Sequence, residues 1–213
     1  MTTTLVALVT VSTAALLVGE ARGWFWLRAI AKTAASGGCV LLAWATGAEG
    51  ALGTTLLVAL GLSFVGDVAL LGKSKPAFLV GLGAFLVAHL AYVATFLQLP
   101  GSVAAGGVAL ALLVPFVFAV WRWLGPHVGS LRRPVQAYVT AICAMTAAAA
   151  WASGAPGGAL LPAAAVTFVF SDLCVARERF VHQGLENKLL GLPTYFGAQV
   201  AFALLVPAAR LDP

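Results

Sequence analysis

Apolar residues run along this chain in eight long stretches, and polar residues gather mostly in the breaks between them. The stretches cover approximately residues 3–19, 29–47, 51–72, 77–98, 102–123, 134–152, 158–176 and 188–208. A helix that crosses a bilayer needs about 20 apolar residues. The pattern therefore predicts an all-α fold, a polytopic membrane bundle of eight transmembrane helices in a single domain over 1–213. Three breaks are short and rich in Gly or Pro: Gly47-Ala-Glu-Gly50, Leu99-Pro-Gly-Ser102 and Ser153-Gly-Ala-Pro-Gly-Gly158. They predict tight antiparallel hairpins.

The remaining breaks carry the charge. Arg22, Arg28 and Lys32 follow the first run, Lys73 and Lys75 the third, Arg122, Arg132 and Arg133 the fifth, and Arg177, Arg179 and Lys188 the seventh. Eleven of the 12 Lys and Arg thus fall at odd-numbered breaks. The positive-inside rule makes those breaks cytoplasmic and puts both termini outside, in the cell (inner) membrane. The first run follows Met1 to Thr4 with no basic segment, so it is expected to be a mature helix and not a cleaved signal.

Composition agrees with this reading. The chain is 62% hydrophobic and 9% charged, where a soluble domain carries about 25% charged residues. Its mean hydropathy is +1.01. The net charge of +5 comes from cations scattered singly between apolar runs, with no basic stripe, so no nucleic-acid partner is expected. Cys39, Cys143 and Cys174 lie in three separate runs with no Cys-x-x-Cys pair, which suggests packing and neither a disulfide framework nor a zinc site. The three histidines are too scattered for a metal cluster, and no P-loop, dinucleotide fingerprint or Gly-x-Ser-x-Gly elbow occurs. No cofactor is expected. Trp24, Trp26, Trp121 and Trp123 fit interfacial anchors, and His127 and His182 fit solvated loop positions.

The informative residues are the polar ones inside the apolar runs. An ionisable group in hydrocarbon costs about 2.5 kcal/mol or more, so it marks a candidate site. Asp67 falls about five residues from the basic end of the third run, and Asp172 about four residues from that end of the seventh. Lys32 and Tyr138 lie about one turn into their runs, and Tyr195 about two turns. Five helices thus contribute to one layer in the basic half. His89 falls deeper, about 18 Å in, where it is expected to shape the pocket from above the carboxylates. Ser63 and Asp67 share a face, as do Tyr195 and Gln199. Phe85, His89, Tyr92 and Phe96 form one stripe, and Tyr138 aligns with Met145. Simpler accounts stay open for each alone: an Asp reaching the interface, Lys32 snorkelling, His89 and Tyr92 in an interhelical hydrogen bond. A short echo, Phe64-Val-Gly-Asp67 and Phe168-Val-Phe-Ser-Asp172, suggests a 4+4 parallel repeat. Two coincidences would look the same.

In their order and spacing these residues resemble the YhhN-like integral membrane proteins, which include the lysoplasmalogenases. The similarity runs from Lys32 through Ser63-x-x-Gly66-Asp67, then Gly81-x-x-x-Phe85-x-x-x-His89-x-x-Tyr92-x-x-x-Phe96. It continues with Tyr138 and Met145, Phe170-Ser171-Asp172 and Tyr195-x-x-x-Gln199. Lys32 is followed here by Thr33, where the family often has Pro. The resemblance implies hydrolysis of the vinyl-ether bond of a lysoplasmalogen-like lysophospholipid, releasing a fatty aldehyde and a glycerophospho-headgroup. It implies Asp67 and Asp172 as the catalytic pair, with Lys32, Ser63, His89, Tyr92, Tyr138, Ser171, Tyr195 and Gln199 as substrate-binding or supporting residues. Protonating a vinyl carbon needs a protonated acid beside an ionised carboxylate, and two acids in one low-dielectric pocket suit that need. Lys32 is expected to meet the headgroup phosphate. Partners would be the lysophospholipid and bilayer lipids. Two other classes remain at this level: a lipid-binding protein or transporter without chemistry, and an intramembrane aspartyl protease. The protease reading is weakened by Phe64-Val-Gly-Asp67, which lacks a second glycine.

Overall fold

A computed structural model describes residues 1–209. The eight apolar runs become eight α-helices: α1 (Thr2–Arg22), α2 (Phe25–Ala45), α3 (Gly50–Ala69), α4 (Lys75–Phe96), α5 (Val103–Leu124), α6 (Arg132–Trp151), α7 (Leu161–Ala176) and α8 (Leu185–Ala208). No strand occurs among the described residues. Seven of the helical segments are long and apolar enough to cross a membrane. The exception is α2, which carries Arg28, Lys32, Thr33 and Ser36. Polar positions on one face lower its hydropathy, and that face holds part of the site described below.

Local signals set the helix ends. Gly23 takes a left-handed φ of 69° after α1, and its N–H caps the last turn on the Glu20 carbonyl. Ser74 caps α4 by accepting from the Ala77 N–H at 3.2 Å, with Pro76 in the first turn. The helix α7 does not stop at Ala176, because a π turn over Arg177–Val181 continues it. That extension matters for depth, since Asp172 then lies about 13 Å from the end of the helical segment.

Neighbouring helices alternate in direction. At one end, Lys188 of α8 contacts Glu20 of α1 at 3.2 Å, and Phe78 of α4 packs edge-on against Phe180 after α7. At the other end, the Thr46 hydroxyl after α2 donates to the Ala203 carbonyl of α8 at 2.8 Å. The core is aromatic in its middle: Tyr92, Phe96, Phe168 and Phe202 are all fully buried against one another. Gly66 lets α3 approach α4 closely, since a Cβ there would sit 2.6 Å from the Phe85 ring. Most of α5 faces outward, with only Val120 and Leu124 buried.

Candidate active site

Asp67 lies near the end of α3 and points into the bundle, 2% exposed. Its two oxygens have different partners. Oδ1 faces the Lys32 ammonium of α2 at 3.1 Å. Oδ2 accepts hydrogen bonds from the Ser36 hydroxyl of α2 and the Tyr195 hydroxyl of α8, both at 2.6 Å. Behind Tyr195 the chain of donors continues. Gln199 Nε2 donates to the Tyr195 hydroxyl at 2.9 Å, and the Tyr92 hydroxyl of α4 donates to Gln199 Oε1. A buried charge persists only when it is paired and hydrogen-bonded, and Asp67 has one cation and two hydroxyl donors.

Asp172, on α7, has a different set. Its Oδ2 accepts from the Tyr138 hydroxyl of α6 at 2.6 Å, and His89 Nε2 of α4 lies 3.7 Å away. No lysine or arginine pairs with it among the described residues. Its side chain keeps 17% of its surface exposed, against 3% for Asp67. Asp172 is therefore the more accessible acid.

His89 is 0% exposed. Its Nδ1 lies 2.6 Å from the Phe85 carbonyl oxygen. A carbonyl only accepts, so Nδ1 carries the hydrogen and donates. In the neutral ring, Nε2 is then a bare lone pair, aimed toward Asp172 and without a hydrogen-bond partner among the described residues.

The two carboxylate clusters share one aromatic wall. Tyr195 packs edge-on against Phe85 at 5.8 Å and Phe168 at 5.4 Å. His89 packs edge-on against Phe168 at 5.0 Å and Tyr138 at 5.2 Å. No hydrogen bond joins the two carboxyl groups among the described residues.

The structure brings together most of the residues singled out in the sequence and corrects two placements. His89 is not above the carboxylate layer but level with Asp172. The π turn lengthens α7, so Asp172 sits deeper than a helix ending at Ala176 would place it. The Lys32 ammonium is engaged by Asp67 at 3.1 Å, and its side chain is 12% exposed. Ser63 is buried on the Asp67 face, but its hydroxyl donates to the Ala59 carbonyl one turn back. Ser171 is buried beside Asp172 and makes no described hydrogen bond to either acid. Met145 is fully buried in the core. Sequence reasoning missed Ser36 and Phe168. Each had a signal: Ser36 is four residues from Lys32, and Phe168 four residues from Asp172, so each shares its partner's face.

Comparison with known proteins bears on this arrangement. The sequence model of the YhhN family matches residues 27–206. A protein of Mycobacterium bovis named lysoplasmalogenase is 34% identical over 141 residues, covering 61% of this chain and 49% of the relative. The lysoplasmalogenase TMEM86B of Mus musculus is 30% identical over 189 residues, covering 88% of this chain and 77% of the relative. The lysoplasmalogenase TMEM86A of Bos taurus is 27% identical over 166 residues, covering 74% and 67%. The chain thus spans about half the length of the mycobacterial relatives it matches. No solved structure matches.

Proposed function

The chain belongs to the YhhN family, and from that premise we propose that it is a membrane-embedded hydrolase of the vinyl-ether bond of lysoplasmalogen-like lysophospholipids. The observation that carries this reading is the pair of interior acids with contrasting partners. Asp67 is matched by an ammonium and two hydroxyls, as an ionised carboxylate requires. Asp172 faces a phenol and the bare lone pair of an imidazole, and no lysine or arginine. Asp172 is the proton donor, and Asp67 supplies the fixed negative charge.

The reaction balances with one water. Asp172 gives its proton to the vinyl carbon remote from oxygen, and the double bond becomes a carbon cation next to the ether oxygen. The negative field of Asp67 and the carboxylate left on Asp172 favour that cation. Water adds to the cationic carbon, and its spare proton returns to Asp172. The resulting hemiacetal collapses: the carbon–oxygen bond to glycerol breaks, the hydroxyl proton passes to the leaving oxygen, and a fatty aldehyde departs. The lone pair of His89 Nε2 faces Asp172 at 3.7 Å and brings no positive charge to the acid. Lys32, Ser36, Tyr195, Gln199 and Tyr92 hold Asp67 in place.

The whole chain, 1–213, acts as one domain with eight transmembrane helices in the cell membrane. The odd-numbered breaks are cytoplasmic and both termini lie outside. Each half contributes to the other's acid, which supports a 4+4 repeat. Asp67 of α3 receives a hydroxyl from α8 and a cation from α2. Asp172 of α7 faces an imidazole from α4 and a hydroxyl from α6. Adding four to each helix number exchanges one set for the other.

The test is aldehyde release by the purified protein from an alkenyl lysophospholipid, with the saturated alkyl analogue as control. Release from the alkenyl lipid alone is the expected result. Binding of both lipids with turnover of neither would favour a lipid carrier instead.

A further inference from the structure

The charged end of the bundle is split into two unlike corners. In the corner built by α1, α2, α8 and the turn after α7, most cations have an acid. Arg28 pairs with Glu20 at 2.8 Å, Lys188 with Glu20 at 3.2 Å and Glu178 at 3.6 Å, and Arg177 with Glu186 at 2.9 Å. The corner around the start of α4, the α5–α6 connection and Arg179 has the opposite character. Lys73, Lys75, Arg122, Arg132, Arg133 and Arg179 gather toward it, and none pairs with a carboxylate among the described residues.

Two of these cations flank the start of α4. The Arg179 guanidinium lies 4.5 Å over the ring of Phe78, which is itself 7% exposed and packed edge-on against Phe180. Stacking on a buried ring fixes the plane of the guanidinium and leaves its edge of N–H donors open. Lys75 is three residues before Phe78 on α4, so its stem rises from the same face. Its ammonium is 3.4 Å from the Ser130 hydroxyl of the α5–α6 connection. Lys32, which also lies toward this end, is engaged by Asp67.

We propose that Arg179 and Lys75 form a phosphate-binding subsite that holds the headgroup phosphate of a lysophospholipid while its vinyl-ether bond reaches Asp172. The subsite rests on the hydrolase reading for its substrate. Spacing supports it. Arg179 follows Asp172 by seven residues on one continuous helical segment, about 10 Å along the axis. Seven covalent bonds separate the phosphorus from the vinyl carbon that takes the proton, and an extended run of that length covers about 9 Å. The reach of the arginine side chain closes the difference. A planar fork suits two phosphate oxygens, and the lysine adds a point charge.

The test is binding in detergent micelles, with three probes that need no turnover. They are a 1-O-hexadecyl lysophosphoethanolamine, 1-O-hexadecylglycerol and inorganic phosphate. The wild-type protein should bind the phosphate-bearing ether about tenfold or more tightly than the alkylglycerol. Arg179→Gln and Lys75→Gln, each alone, should erase most of that preference and leave the alkylglycerol affinity unchanged, which also reports an intact fold. Arg22→Gln, which removes the same charge at the other corner, should change nothing. A preference that survives both substitutions, or that falls equally with Arg22→Gln, overturns the subsite. Inorganic phosphate should compete only far above the lipid concentration, and equal potency would overturn the headgroup assignment. A wild-type protein that shows the preference yet releases no aldehyde from the alkenyl lipid would sink the hydrolase reading and leave the phosphate subsite standing.

Discussion

Replacing Lys32 by Met removes the one ammonium beside Asp67 and keeps most of the side-chain volume. Breaking a buried ion pair by deleting one partner costs about 3–5 kcal/mol, because the other charge is stranded. Asp67 would keep two hydroxyl donors at 2.6 Å, and Lys32 is 12% exposed rather than sealed. Both facts place the cost at the lower end, about 3 kcal/mol. In a chain of this size 1 kcal/mol moves the melting temperature by about 2–4 °C, so the loss should be about 6–12 °C. Asp67→Asn, which strands the ammonium, should cost a similar amount. The double variant has no stranded charge and should lose no more than either single variant, about 3 kcal/mol, giving a coupling of about 3 kcal/mol in a double-mutant cycle. Thermal unfolding of the four proteins in one detergent measures this directly. Additive losses, or a Lys32→Met variant within about 2 °C of wild type, would refute the pairing that fixes the charge of Asp67.

Three further expectations follow from single contacts. Tyr195→Phe removes one donor from Asp67 and leaves Gln199 Nε2 without its acceptor, so it should cost about 1–2 kcal/mol in unfolding and lower turnover; an unchanged protein would mean the contact is idle. His89→Asn keeps a donor for the Phe85 carbonyl but removes Nε2, so turnover should fall about a hundredfold while melting moves little; a large loss of stability with normal turnover would make His89 a packing residue only. Gly66→Ala puts a methyl 2.6 Å from the Phe85 ring and should destabilise by about 1–3 kcal/mol. Gly61→Ala, with nothing within 4 Å, is the matched control and should melt no lower than wild type.

The helices were legible because the apolar runs are long and their breaks are marked by Gly, Pro and charge. Asp67 and Asp172 were legible for the same reason, since acids are conspicuous in apolar sequence. Their partners were less so. Helical spacing shows which residues share a face but not which face meets which helix, so Ser36 went unnoticed although it lies one turn from Lys32. Depth was the other blind spot. The end of an apolar run does not mark the end of its helix, and the π turn after Ala176 shifts that origin for Asp172. Lys32 shows a third limit: an ion pair between α2 and α3 depends on tertiary approach, which no spacing within one helix encodes.

The most direct test of the two-acid account is aldehyde release from an alkenyl lysophospholipid by the wild type, Asp67→Asn, Asp172→Asn and the double variant. All four must be checked for folding in the same detergent. The account predicts steady release by the wild type, a fall of at least about a hundredfold for Asp172→Asn, a marked fall for Asp67→Asn, and none above background for the double variant. A folded double variant that releases aldehyde at the wild-type rate would contradict it.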